Sequence, residues 1–232
     1  MQKLIPNDNL SSWSIIERNN VTVYNPNYQL VKRVFDLLIC LLTLPFTLLV
    51  GLFIIYLIRR DSPGPALFVQ ERAGRGGKVF DIYKFRTMYH DIDRTKHQEI
   101  MKEFVHGQVE QEGQESFKPI QTGQLTKIGR ILRKTSLDEL PQLINVFRGE
   151  MSLVGPRPNV IWEVDAYYEW HKERLEVLPG ITGLAQVKGR SGLLFDEIVY
   201  WDIEYIRRQS LLFDLKILWW TFEEVIRRKG AQ

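Results

Sequence analysis

From Leu37 to Ile58 the chain reads LLICLLTLPFTLLVGLFIIYLI, 22 residues without a charge. A run of this length suits a membrane helix and exceeds an ordinary buried one. It starts too far from the N-terminus for a signal peptide and lacks a small-residue cleavage site after it, so it is expected to belong to the working protein. Pro45, near its middle, cannot donate a backbone hydrogen bond. A kink or break is predicted there, with Thr43 or Thr47 helping to satisfy the freed carbonyl near Leu41. Lys32 and Arg33 precede the run, and Arg59 and Arg60 follow it; basic residues near membrane ends favour the cytoplasm. With both ends basic, a bent segment over residues 31–60 that enters and leaves by one face satisfies the pattern better than a straight span or a buried soluble helix.

The flanking pattern is different. Residues 1–30 are polar, with Asn-marked turns, and read as a lead-in carrying a short helix around Trp13 to Arg18. Asp61-Ser62-Pro63-Gly64-Pro65 signals a turn, and a short strand around Ala66–Gln70 is predicted after it. Gly74 to Gly77 then lead into an alternating stretch, Lys78–Met88, which completes a hairpin. Residues 89–124 are polar and rich in Glu and Gln, an insertion suited to a lid or a partner surface. Short helices are expected over roughly 125–134, 138–147, 159–177, 195–208 and 212–229, separated by Pro and Gly turns. In the last of these, Leu211 to Phe213 and Ile217 to Trp220 lie close to Arg227, Arg228 and Lys229. This fits either an amphipathic helix in the lipid headgroup layer over 211–229 or an ordinary helix packed on a core. The expected fold is mostly α with a small β-hairpin, a membrane segment and one domain of short helices over 61–232.

Composition changes this picture little. Hydrophobic residues make up 44% of the 232, enough for a real core, and the formal net charge of +3 is too mild to indicate a nucleic-acid binder. The single cysteine, Cys40, rules out an internal disulfide framework, fits a reducing compartment and sits in the apolar run as a small hydrophobe.

Chemistry concentrates in Arg130-Ile-Leu-Arg133-Lys134-Thr135-Ser136-Leu-Asp138-Glu139-Leu-Pro141. Lys127, Arg130 and Lys134 share one helix face with Arg133 beside it, and arginine forks match phosphate oxygens. Pro141 belongs in a first helical turn, so a helix should begin near Asp138, where the dipole and nearby cations would hold a carboxylate ionised. Adjacent carboxylates repel, yet together they can bind Mg²⁺, and an aspartate can act as a nucleophile. The same residues also allow a plain capping box between Ser136 and Glu139. Lys84 and Arg86, two apart in the second strand, share a face opposite Thr87. Arg157 is presented by a stiff Gly155-Pro156-Arg157-Pro158 turn. Leu178 to Arg190 form a Gly-punctuated loop with Lys188 and Arg190, able to approach phosphate closely or simply to connect. Asp91-Ile92-Asp93 offers a rival metal and nucleotide-sugar site, while the four histidines show no ligand spacing.

These pieces resemble the bacterial sugar transferase family, the monotopic polyprenyl-phosphate phosphoglycosyl transferases. The resemblance rests on the basic-flanked apolar segment, Lys84 to Met88, Lys134 to Leu143, Met151 to Pro158, Pro179 to Val187 and the Tyr200–Asp214 stretch, in that order. It covers about residues 31–225. It implies a re-entrant helix, a cytoplasmic catalytic domain at the bacterial inner membrane, and Mg²⁺. It also implies a UDP-sugar donor and an acceptor polyprenyl phosphate, undecaprenyl phosphate by preference, in glycoconjugate synthesis alongside pathway glycosyltransferases. Asp138 would attack the β-phosphate, releasing UMP and leaving a phosphosugar on the carboxylate, and Glu139 would hold the metal. Arg133 and Arg157 would contact phosphate, with Lys84 and Asp202 in support and Gln186 and Arg190 as further candidates. The chain resembles the minimal catalytic form, without the multi-span N-terminal part of some relatives. The competing expectations are a non-catalytic, membrane-tethered assembly protein and an inverting transferase that uses Asp91 and Asp93 and releases UDP.

Overall fold

The computed structural model describes residues 25–89, 101–106, 124–189 and 192–227. Its first helix, α1 (Pro26–Asp61), starts where Asn25 accepts the Tyr28 amide and Pro26 fills a position needing no donor. It has 36 residues and runs without interruption through Pro45, so the expected break is absent from the hydrogen-bonded helix. Thr43 bonds the carbonyls of Ile39 and Cys40, and Thr47 that of Leu44, so neither serves Leu41 as the sequence suggested. An 18-residue window of mean hydropathy 2.7 is only 11% buried, unlike a soluble core helix. Leu42, Phe46 and Leu49 are each about 70% exposed or more.

Both ends of α1 are fastened to the same body. Near its start, Lys32 and Asp36 are buried charges. The Lys32 ammonium lies 2.7 Å from Asp214, whose carboxylate also accepts the hydroxyls of Tyr28 and Tyr205 at 2.8 Å. Asp36 accepts from Ser152 Oγ at 2.7 Å and the Leu153 amide at 3.3 Å, and Arg33 donates to the Val146 and Phe147 carbonyls. Near its end, Ile54 and Ile58 pack with Ala66, Phe85 and Leu132, and Asp61 accepts the Ile128 amide at 2.9 Å.

The hairpin is β1 (Leu67–Ala73) against β2 (Val79–Phe85), antiparallel, with Leu67 opposite Phe85 and Ala73 opposite Val79. α2 (Lys127–Thr135) is capped by Thr126 and ends at Ser136 in the left-handed region, φ 57°. A 3₁₀ turn over Leu137–Gln142, containing Pro141, leads into α3 (Leu143–Arg148). β3 (Ser152–Val154) and β4 (Gly180–Thr182) form a parallel pair too short to show a sequence period. The connection between them holds α4 (Ile161–Val164) and a 3₁₀ segment, Glu169–Glu176, where one helix over 159–177 was expected. It restarts because the Tyr168 amide donates to His171 Nδ1. α5 (Leu184–Gly189), α6 (Phe195–Arg207) and α7 (Leu211–Arg227) complete the order. The main core joins Cys40 of α1 to Ile82, Met151, Val154, Tyr205 and Ile217. Mostly helical with a small hairpin is therefore correct, with the β3–β4 pair an addition. The lead-in before residue 25, Asp91 and Asp93, Arg190 and most of the 89–124 insertion lie outside the described residues.

Replacing Lys32 by Met removes the cation from buried Asp214 and should destabilise the protein by about 3–5 kcal/mol. Lys32→Met combined with Asp214→Asn should recover part of that loss. Thermal unfolding in detergent checks both.

Candidate active site

Glu139 is the centre of the site. The turn that carries it requires Ser136 at positive φ, the one such non-glycine among the described residues. This conformation costs roughly 1–3 kcal/mol. It swings the Glu139 side chain away from the Ser136 amide, which donates to the Arg133 carbonyl instead. The capping box is thus absent. Glu139 Oε1 accepts from Lys84 Nζ at 3.1 Å and from Arg157 Nη2 at 3.0 Å. Burial alone would raise its pKa, but Lys84 and then Arg157 outweigh burial and hold the carboxyl down at about 2. Burial in turn draws the Lys84 ammonium down to about 8 against the pull of Glu139.

Asp138 is in a different state. Among the described residues it makes no hydrogen bond or ion pair. Burial first, and the adjacent Glu139 second, raise its pKa, while Lys84, Arg133 and Arg157 oppose the rise. The sequence placed both carboxylates under the same helix dipole and cations; the structure pairs one and leaves its neighbour free. Arg133 turns from α2 toward this side, its Nε donating to Thr87 Oγ1 at 3.0 Å. Lys127, Arg130 and Lys134 are exposed on α2, and neither carboxylate is paired with any of them.

The structure also places four further candidates. Arg86 is buried, donating to the Pro63 and Ser62 carbonyls and to Ser62 Oγ at 2.7–2.9 Å; it latches the turn after α1, and its guanidinium is not free for phosphate. Gly155 and Gly180 are needed for backbone contact with each other, since a Cβ on Gly180 would lie 2.1 Å from the Gly155 amide nitrogen, so Gly180 packs strand on turn. Gln186 donates to the Ile181 carbonyl at 3.2 Å and stays outside the Glu139 cluster. Asp202 is buried and paired with Arg174, which also bonds the Tyr167 hydroxyl and the Arg157 carbonyl, so its contribution to the site is indirect. Two arginines escaped notice in the sequence. Arg174 is one; Arg72, which donates to the Pro158 carbonyl at 3.1 Å, is the other. No signal in the sequence marks either of them.

Among the described residues no three His, Cys, Asp or Glu side chains converge. Mg²⁺ needs only one or two carboxylates when phosphate and water complete its shell. Asp138, unpaired, beside Glu139, held ionised, is a donor set of that kind.

A hairpin lysine, two arginines and a carboxylate pair set at a strained turn converge in a body joined to an apolar helix, an arrangement suited to phosphate. The bacterial sugar transferase family matches residues 27–228, and the chain belongs to that family. It is 40% identical over 210 residues to a galactosyl transferase, CpsE, of Streptococcus agalactiae, covering 90% of this chain and 45% of that one. It is 40% identical over 203 residues to an undecaprenyl-phosphate galactose phosphotransferase of Salmonella typhimurium, covering 87% and 41%. It is also 40% identical over 212 residues to a UDP-glucose:undecaprenyl-phosphate glucose-1-phosphate transferase of Caulobacter vibrioides, covering 86% and 71%. The chain spans under half the length of the first two.

Gly129 tests how α2 sets the site. An added Cβ would lie 2.0 Å from the Thr87 carbonyl oxygen. Gly129→Ala should push α2 off the end of β2 and destabilise the fold by about 1–3 kcal/mol, read by thermal unfolding.

Proposed function

We propose that the chain transfers a sugar 1-phosphate from a UDP-sugar to polyprenyl phosphate, undecaprenyl phosphate by preference, with release of UMP. The observation that carries this reading is the divided carboxylate pair: Glu139 neutralised by Lys84 and Arg157, Asp138 unpaired beside it. The names of the Salmonella and Caulobacter relatives support the lipid acceptor, and that of the Caulobacter relative a UDP-linked donor.

In the first step an Asp138 carboxylate oxygen attacks the β-phosphorus. The bond from that phosphorus to the bridging oxygen breaks, and UMP carries the electron pair away. The raised pKa of Asp138 makes its ionised form the stronger nucleophile. Arg133 and Arg157 steady the non-bridging oxygens, with Lys84 holding Glu139 in place. In the second step a phosphate oxygen of the polyprenyl phosphate attacks the aspartyl phosphosugar, and Asp138 returns as a carboxylate. Mg²⁺, held by Glu139 with Asp138, would offset the charge of the pyrophosphate.

α1 is read as re-entrant because both its ends bind one domain, through Lys32 and Asp36 on one side and Ile54, Ile58 and Asp61 on the other. A span would carry one end about 30 Å away, across the hydrocarbon. The domain then lies at the cytoplasmic face of the inner membrane. The exposed stripe Leu212, Leu215, Trp219, Phe222 and Ile226 suits α7 to the headgroup layer.

Purified protein with Mg²⁺ and a panel of UDP-sugars should release UMP and acquire a phosphosugar adduct detectable by mass spectrometry. Asp138→Asn should abolish both, Asp91→Asn should leave both, and EDTA should suppress turnover. UDP release, or an unchanged rate in Asp138→Asn, would overturn the reading. For topology, single cysteines at Leu30 and Gly64 in a Cys40→Ala background should react with an impermeant maleimide from the cytoplasmic side only. Labelling from opposite sides would refute re-entrance.

A further inference from the structure

The turn that presents Arg157 has few handles. Pro156 and Pro158 lack amide hydrogens, so the segment can be tied down mainly through its carbonyls, which need donors from elsewhere. The structure supplies a donor for each in order. The Gly180 amide takes the Pro156 carbonyl at 2.8 Å, Arg174 Nη2 the Arg157 carbonyl at 3.2 Å, Arg72 Nη1 the Pro158 carbonyl at 3.1 Å, and the Ala73 amide the Asn159 carbonyl at 3.0 Å. The two middle donors are guanidiniums from two separate elements, β1 and the 3₁₀ segment Glu169–Glu176. Arg174 is itself gripped by Asp202 and by the Tyr167 hydroxyl at 2.9 Å, with the Phe195 ring beneath it. Arg72 is fixed by Gln70 Oε1 at 2.8 Å.

Stability alone gives little reason for this arrangement. Arg72 buries its Nε with no hydrogen-bond partner, and an unsatisfied buried donor is destabilising. The gain is positional: between the two grips stands Arg157, flanked by buried Pro156 and Pro158, with its own side chain half exposed and bonded to Glu139.

We propose that Arg72 and Arg174 are positioning residues, a two-sided brace on the carbonyls of residues 158 and 157 that sets the reach of Arg157 to Glu139 and the donor phosphate. The proposal rests on the transferase reading for its kinetic consequence, though not for the brace itself. Lysine keeps the charge at either position but loses the fork that bonds two partners at once.

The test is a double-mutant cycle on UMP release with Arg72→Lys, Arg174→Lys and Arg157→Ala. Each lysine variant should lower kcat/KM by roughly 10-fold to 100-fold, the scale of a small misplacement. Neither should lower it further when Arg157 is already Ala, because the brace acts only through that side chain. Effects that multiply in the double variants, or an unchanged rate in both single variants, would overturn the proposal. Thermal unfolding identifies a variant that fails to fold, in which case the other arginine carries the cycle. If the wild type releases no UMP from any donor, the transferase reading falls. The brace is then decided by hydrogen–deuterium exchange over 155–160, which should rise in Arg72→Lys while 79–85 stays unchanged. No rise there would refute it.

Discussion

A carboxylate that is mostly withdrawn from water needs cations in contact with it, and Glu139 finds two. That requirement organises the whole site. Lys84 must come from the inner face of β2, so the hairpin register cannot slip by one residue without turning the lysine away. Arg157 must come from the turn after β3, so β3 and β4 must approach closely enough that only glycine fits at 155 and 180. Glu139 itself must leave a turn in which Ser136 takes a conformation that most side chains avoid. Three distant parts of the chain thus meet on one oxygen atom.

The same body is tied to the apolar helix by charges placed where an apolar helix would not be expected to carry them. Lys32 and Asp36 face the domain one turn apart, and their partners Asp214 and Ser152 belong to α7 and β3. β3 leads directly into the turn that carries Arg157, and α2, which carries Arg133, begins at an amide held by Asp61 at the other end of the same helix. The orientation of α1 and the placement of Arg133 and Arg157 are therefore coupled through short, bonded connections. A lipid held beside α1 would meet the carboxylates at a set height.

What was legible in the sequence was local. The apolar run, the Gly-marked hairpin, the turn before Pro141 and the stiff Arg157 turn each depend on neighbours within a few residues, and each lies where expected. The cationic face of α2 was legible from its spacing but its direction was not, since periodicity groups side chains without saying which group faces the site. Arg86 illustrates the same limit: strand alternation placed it with Lys84, and only the folded turn shows that the carbonyls of residues 62 and 63 claim it. Arg72 and Arg174 were illegible because their partners are 86 and 17 residues away and are backbone atoms, which leave no trace in residue type. The β3–β4 pair was missed because three residues cannot display a period.

The division between Asp138 and Glu139 follows from these contacts without appeal to either residue alone. Two adjacent carboxylates in a half-buried site repel, and the repulsion is relieved most where the cations gather on one of them. Lys84 and Arg157 gather on Glu139, which stays ionised and fixed, while burial and then the Glu139 charge raise the basicity of Asp138. A fixed anion makes a poor nucleophile, since one of its oxygens is committed to two donors already in place. The unpaired neighbour keeps its lone pairs free and lies within reach of the field of the same cations. The arrangement that stabilises one carboxylate therefore prepares the other to react, since an ionised Glu139 adds to burial in holding the basicity of Asp138 up.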